Sequence, residues 1–164
     1  MIPDLLTMAK SLAGGFPLSA VSGRAEIMDA LAPGGLGGTY AGSPLALAAA
    51  EAVLEIIVEE RLCDRAVQLG ARLSARLLGL AEQVPEIAEV RGLGAMVAAE
   101  LMVKSTRAPA TDLARRVQLR ALQEGLIFLT AGMHGSVLRF LFPLTIEDEV
   151  FEEGLAALES ALLR

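Results

Sequence analysis

The sequence predicts an α/β chain in two parts, and three observations carry that prediction. From Asp64 onward the order is helix, strand pair, helix, strand pair, helix, which suits a compact α+β domain with helices laid over a small sheet. Before about Glu60 the pattern differs: short apolar runs separated by glycine-rich turns lead into one alanine-rich helix. Apolar residues make up 54% of the chain, the balance of a folded sequence rather than a disordered one. At 164 residues there is room for one full domain, or for a small domain and a piece of another.

Taken in order, Leu5-Leu6-Thr7-Met8-Ala9 predicts a buried strand that ends at Lys10. A parallel-sheet strand so near the start needs neighbours on both sides, so the chain is expected to be part of something larger. A glycine-rich turn, Ser11 to Pro17, leads to a second short strand from Leu18 to Ser22, then a short helix from Arg24 to Leu31. Ala32 to Gly42 is a glycine-rich loop. Ser43 as cap and Pro44 as first helical residue open a helix running to about Glu60, with Glu51, Glu55 and Glu59 on one face. A second long helix spans about Asp64 to Val84. There Ala66, Leu69, Leu73, Leu77 and Leu80 form the apolar stripe, Arg65, Arg72 and Arg76 lie outside it, and Pro85 ends the helix.

Ile87 to Arg91 and Ala95 to Leu101 are strand candidates around Gly92-Leu93-Gly94. Thr111 caps a helix to about Gln123, with Gly125 where a C-terminal glycine belongs. Leu126 to Thr130 and Val137 to Phe142 are apolar strands, the second broken by Pro143. Thr145-Ile146-Glu147-Asp148 resembles a capping box, with Asp at its fourth position, and opens the last helix.

A net charge of −6 disfavours nucleic acid and anionic membrane as partners. The longest apolar stretch, Pro44 to Ile57, is short and carries Glu51 and Glu55, so no membrane span is expected. The N-terminus has no basic and apolar leader pattern. The one cysteine, Cys63, forbids an internal disulfide framework and fits a reducing compartment, so a cytoplasmic location is expected. One histidine and one cysteine give neither a Cys/His nucleophilic pair nor a zinc set, and no metal site is expected.

Three residues could carry chemistry. Lys10 is the only charged side chain between Asp4 and Arg24. Burial there would lower its pKa and free the amine for Schiff-base chemistry; the alternative is a solvated lysine at a strand end. The loop ending Gly37-Gly38-Thr39 could hold a phosphate through backbone N–H groups and a hydroxyl, or could be a plain connection. Arg139 is the only charge in Val137-Leu138-Arg139-Phe140-Leu141-Phe142 and must find an anion, either a substrate carboxylate or a structural partner such as Glu100.

Together these segments resemble a known family. Ala9-Lys10-Ser11-Leu12-Ala13-Gly14-Gly15-Phe16-Pro17-Leu18 looks like the cofactor-lysine motif of class III aminotransferases, and Gly37-Gly38-Thr39-Tyr40-Ala41-Gly42-Ser43-Pro44 looks like the loop and helix start that follow it. Val90-Arg91-Gly92-Leu93-Gly94-Ala95-Met96 and Leu138-Arg139-Phe140-Leu141-Phe142-Pro143-Leu144-Thr145 match later landmarks in the same order. The resemblance runs from Asp4 to the end, and Gly34 to Pro44 is most similar to 4-aminobutyrate aminotransferases.

It implies the aspartate-aminotransferase-like fold, type I of the pyridoxal-phosphate (PLP) enzymes, with residues 1–60 as the tail of the large PLP domain and 61–164 as the small C-terminal domain. It implies PLP as cofactor, Lys10 as its Schiff-base lysine and proton carrier, Thr39 as a contact to the cofactor phosphate of the neighbouring subunit in a homodimer, and Arg139 as the grip on the substrate carboxylate. The implied reaction moves an amino group from an ω-amino acid such as 4-aminobutyrate to 2-oxoglutarate; ornithine and acetylornithine enzymes are the alternatives within the class. In the family the acid at the ring nitrogen, the main phosphate loop and the stacking aromatic come from upstream residues absent from this sequence. The chain alone is therefore expected to be inactive. Two other readings stay open: a split enzyme restored by a separate N-terminal half, and a non-catalytic interaction module.

Overall fold

The computed structural model describes residues 2–164; Met1, the first residue of the N-terminal stretch in which no leader pattern is expected, lies outside the described residues. The chain divides into two compact units, Met1–Arg61 and Leu62–Arg164.

In the first unit, β1 (Leu5–Met8) pairs antiparallel with β2 (Ala20–Gly23), from Leu5 opposite Gly23 to Met8 opposite Ala20. The chain between them makes a 3₁₀ turn, Lys10–Ala13, followed by Gly14 and Gly15, both at positive φ. A four-residue helix, α1 (Ala25–Met28), and a long loop lead to α2 (Pro44–Glu59), which packs on the 3₁₀ turn. Pro44 stands at the first helical position as expected, while Ser43 occupies the cap without a side-chain bond.

The expectation of a buried first strand is corrected: Leu5 is 48% and Leu6 50% exposed. A strand is buried on both faces only when strands flank it and layers cover it. Here β1 has one antiparallel neighbour. The unit buries little beyond Ala13, Ala46 and Ala50, and leaves Phe16, Val21, Leu45, Leu47 and Leu54 exposed.

The second unit carries the main core. It comprises α3 (Leu62–Ala81), β3 (Ile87–Leu93), β4 (Met96–Leu101), α4 (Thr111–Gln123), β5 (Leu129–Ala131), β6 (Val137–Phe140) and α5 (Asp148–Leu163). The four strands form one antiparallel sheet in the order β3-β4-β6-β5. The α3 stripe Leu69, Leu73, Leu77 and Leu80 is buried, together with Val97 and Leu101 of β4, Leu138 of β6, Val117 of α4 and Leu158 of α5. Each such leucine contributes about 1.5–3 kcal/mol by leaving water.

Gly70 sets how closely α3 can approach the sheet. A Cβ there would overlap the backbone carbonyl of Gly94, in the tight turn joining β3 to β4. Gly94 itself has φ +55, which a residue without Cβ adopts at low cost.

Thr111–Gln123 forms a helix as expected, although Ala110 rather than Thr111 is the cap and Gly125 follows at φ +86. The capping box at the last helix does not form. Glu147 is the cap and makes no side-chain bond, and the Asp148 carboxylate instead accepts hydrogen bonds from Arg65 and Arg72 of α3. Two guanidinium donors outcompete a single backbone N–H.

Candidate active site

Lys10 sits at the junction of β1 and the 3₁₀ turn, after the extended residue Ala9. Its φ is +60, a left-handed conformation unusual for a residue with a side chain. Arg61 and Arg107 share this backbone region, so the strain alone does not single out Lys10. What distinguishes Lys10 is its setting. The turn is closed by bonds from Leu12 N to Ala9 O (3.3 Å) and from Gly14 N to Ser11 O (3.2 Å), and Ala13 is fully buried beneath it. The backbone is thus held while the amine is exposed and, among the described residues, makes no hydrogen bond or ion pair.

Thr39 lies on the loop that enters α2. A bond from Ala41 N to Gly38 O (3.0 Å) makes residues 38–41 a β-turn with Thr39 at its second position. Thr39 is exposed, its hydroxyl is uncommitted among the described residues, and open space surrounds the α-carbons of Gly37 and Gly38. A phosphate oxygen could therefore approach both the backbone N–H groups and the hydroxyl.

Lys10 and Thr39 belong to the first unit and both flank α2. Arg139 belongs to the second, on β6, opposite Ala98 of β4 and Leu129 of β5. It points to the exposed face of the sheet, and its guanidinium has no partner among the described residues. The structural partner considered for it, Glu100, is bonded to Arg91 at 2.8 Å, and the same Arg91 nitrogen reaches Glu89 at 2.8 Å. The Glu100 hydrogen bond is the main influence holding the Arg91 guanidinium above its ordinary value.

Sequence reasoning missed a second charged array. Arg65, Arg72 and Arg76 of α3 face Asp148, Glu152 and Glu159 of α5: Arg65 to Asp148 is 3.0 Å, Arg76 to Glu159 is 2.7 Å, and Arg72 bridges Asp148 and Glu152. The two sets share spacings of four and seven residues, the signal that could have paired them. Arg72 also lies over the Phe151 ring, 4.8 Å from its centre. Hydrogen bonds from Arg72, then Arg65, depress the Asp148 carboxyl below its ordinary value. The His134 carbonyl accepts from Thr111 Oγ1 at 2.6 Å. Among the described residues no cluster could hold a metal ion, and no helix is long and apolar enough to cross a membrane.

These motifs and folds have known counterparts. Residues 1–162 match the family model of class III aminotransferases, and the chain belongs to that family. It is 54% identical to the 5-aminovalerate aminotransferase DavT of Pseudomonas putida over 157 residues, 96% of this chain and 37% of that protein. It is 53% identical to the 4-aminobutyrate aminotransferase GabT of Escherichia coli over 154 residues, 93% of this chain and 36% of that protein. Among solved structures, an ornithine aminotransferase of Toxoplasma gondii superposes with a TM-score of 0.85 at 36% identity, covering 98% of this chain and 37% of that one. A phospholyase from Arthrobacter, in complex with phosphoethanolamine, superposes at 0.91 with 30% identity, covering 99% of this chain and 39% of that one. The fold is that of the C-terminal portion of the type I PLP enzymes, and the chain spans little more than a third of the relatives it matches.

Proposed function

We propose that this chain supplies the cofactor lysine and the carboxylate-binding arginine of a PLP-dependent aminotransferase acting on an ω-amino acid, with 2-oxoglutarate as amino acceptor. The observation that carries the reading is Lys10: an amine uncommitted among the described residues, on a residue held at positive φ where a 3₁₀ turn begins, inside the run Ala9 to Leu18. Identity of 53–54% to enzymes named for 4-aminobutyrate and 5-aminovalerate supports the substrate class. The phospholyase likeness, at 30%, is a reminder that one fold hosts several reactions and that the site decides. Those two amino acids differ by one methylene, a difference that a binding site discriminates by only about 10–200-fold.

Among the described residues the donors suit PLP: an uncommitted primary amine for the aldehyde, an uncommitted hydroxyl beside open glycine backbone for the phosphate, and an unpaired guanidinium for the substrate carboxylate. When bound, the cofactor supplies an electron sink that acidifies the carbon bearing the substrate amine. Lys10 Nζ holds and orients it, then carries the proton at that carbon. Thr39 Oγ1 donates to a phosphate oxygen, contributed across the interface of a homodimer. Arg139 grips the carboxylate with two parallel N–H donors, which fixes one end of the substrate. Residues 1–60 then form the tail of the large PLP domain, and their exposed apolar side chains are those such a domain covers; residues 61–164 form the small domain. The exposed free Cys63 agrees with a reducing, cytoplasmic setting.

The test follows the amino group. The purified chain is incubated with PLP, 5-aminovalerate or 4-aminobutyrate, and 2-oxoglutarate, and glutamate is measured. The chain alone is expected to form none, and to bind PLP in a form lost in Lys10→Ala. Turnover at enzyme-like rates would contradict the inactivity of the chain alone. PLP binding unchanged in Lys10→Ala would contradict the assignment of the lysine.

A further inference from the structure

The outer face of the small sheet places two arginines on either side of one small residue. Arg91 of β3 and Arg139 of β6 both register on Ala98 of β4, one on each side. Two strand spacings separate their backbones, about 10 Å. Two residues along β4, Glu100 projects from the same face, opposite Glu89 of β3 and Val137 of β6. Glu100 is therefore the diagonal neighbour of both arginines, and long side chains reach across such a diagonal. It bonds only one of them. Arg91 takes Glu100 at 2.8 Å and Glu89 at 2.8 Å, while the Arg139 guanidinium is left without a partner among the described residues.

We propose that Arg91 is a positioning residue: by holding Glu100 it prevents that carboxylate from neutralising Arg139, and so keeps Arg139 open to a substrate carboxylate. The proposal rests on the reading of Arg139 as the carboxylate grip. Without Arg91, Glu100 is an acid with no cation of its own beside a guanidinium with no anion, and the diagonal pair forms. Glu89 is not a competitor, because it stands two strands from Arg139. The Glu100 side chain is only 24% exposed, so it gains from having a cation at hand. The hydrogen bond from Arg91 to Glu100, the largest influence on the Arg91 guanidinium, agrees with this pairing.

The experiment uses the full chain with ¹⁵N-labelled arginine, titrated with glutarate at constant ionic strength and followed at the Arg139 Nε–H signal, which Arg139→Lys identifies by its loss. Glutarate affinity at Arg139 is expected to fall about fivefold in Arg91→Met, the masking expected of a partly exposed ion pair, and to recover in Arg91→Met/Glu100→Gln. Unchanged affinity in Arg91→Met, or a loss that Glu100→Gln does not restore, overturns the proposal. Should Arg91→Met lose its far-UV helix signal, Arg91→Gln keeps a donor, drops the charge and is read in the same way. If Arg139 of the unaltered chain fails to respond to glutarate, the carboxylate reading of Arg139 fails. The masking is then judged without ligand: an Arg139 signal that moves in Arg91→Met and returns in the double variant supports it, and one that stays put overturns it.

Discussion

Replacing Gly70 with alanine should destabilise the second unit, although the same change inside a helix ordinarily stabilises. Alanine is favoured over glycine in a helix interior by about 1 kcal/mol, because glycine loses more backbone freedom on folding. At Gly70 the added methyl meets the backbone carbonyl of Gly94, which no rotamer change can move aside. Forcing a methyl into such a contact costs about 1–3 kcal/mol. The net expectation is a loss of about 1 kcal/mol. Gly79, in the same helix, has open space where an added methyl would stand, so Gly79→Ala should show the propensity gain alone. In a unit of about 100 residues each kcal/mol moves Tm by about 4–8 °C. Thermal unfolding followed by far-UV circular dichroism should place Gly79→Ala above the parent chain and Gly70→Ala below it. Equal stabilisation by both would refute the close approach of α3 to the β3–β4 turn.

Other changes have expected outcomes of their own. Leu77→Ala, at a fully buried α3 position, should cost about 2–5 kcal/mol, read as a lowered midpoint in urea. Asp148 contributes through a carboxyl depressed by Arg72 and Arg65, so its stabilisation is complete above the ordinary aspartate value of about 4 and is lost as pH falls through the depressed one. Asp148→Asn should therefore be less stable than the parent at neutral pH and indistinguishable from it in strong acid, as unfolding curves at the two pH values would show. Thr39→Val should weaken PLP binding by about tenfold or more, the loss of one hydrogen bond to a charged group, measured by equilibrium titration of the purified chain.

What the sequence made legible was whatever local periodicity or spacing decides. The α3 stripe Leu69, Leu73, Leu77 and Leu80 is buried as its spacing requires, and the helix Thr111–Gln123 follows its pattern. The motif run around Lys10 and the landmark at Arg139 pointed to class III aminotransferases, the family to which the chain belongs. What escaped depended on partners far away in the chain. Asp148 read as a local cap because its true donors, Arg65 and Arg72, lie 83 and 76 residues upstream. Glu100 is one structural partner the sequence offers Arg139, yet Arg91, on the other neighbouring strand, holds it. The first strand read as buried because Leu5, Leu6 and Met8 are apolar, and apolarity reports what a strand could bury rather than what lies beside it.

The central claim is that Lys10 carries the cofactor, and borohydride reduction of the purified chain with PLP, followed by peptide mapping, tests it directly. The chain has two lysines, Lys10 and Lys104, so the map has its own internal control. Stoichiometric labelling confined to Lys10 is the predicted result, because a held turn presents that amine to the aldehyde. Labelling divided between Lys10 and Lys104 would contradict it, and would mean that the chain does not itself select its lysine.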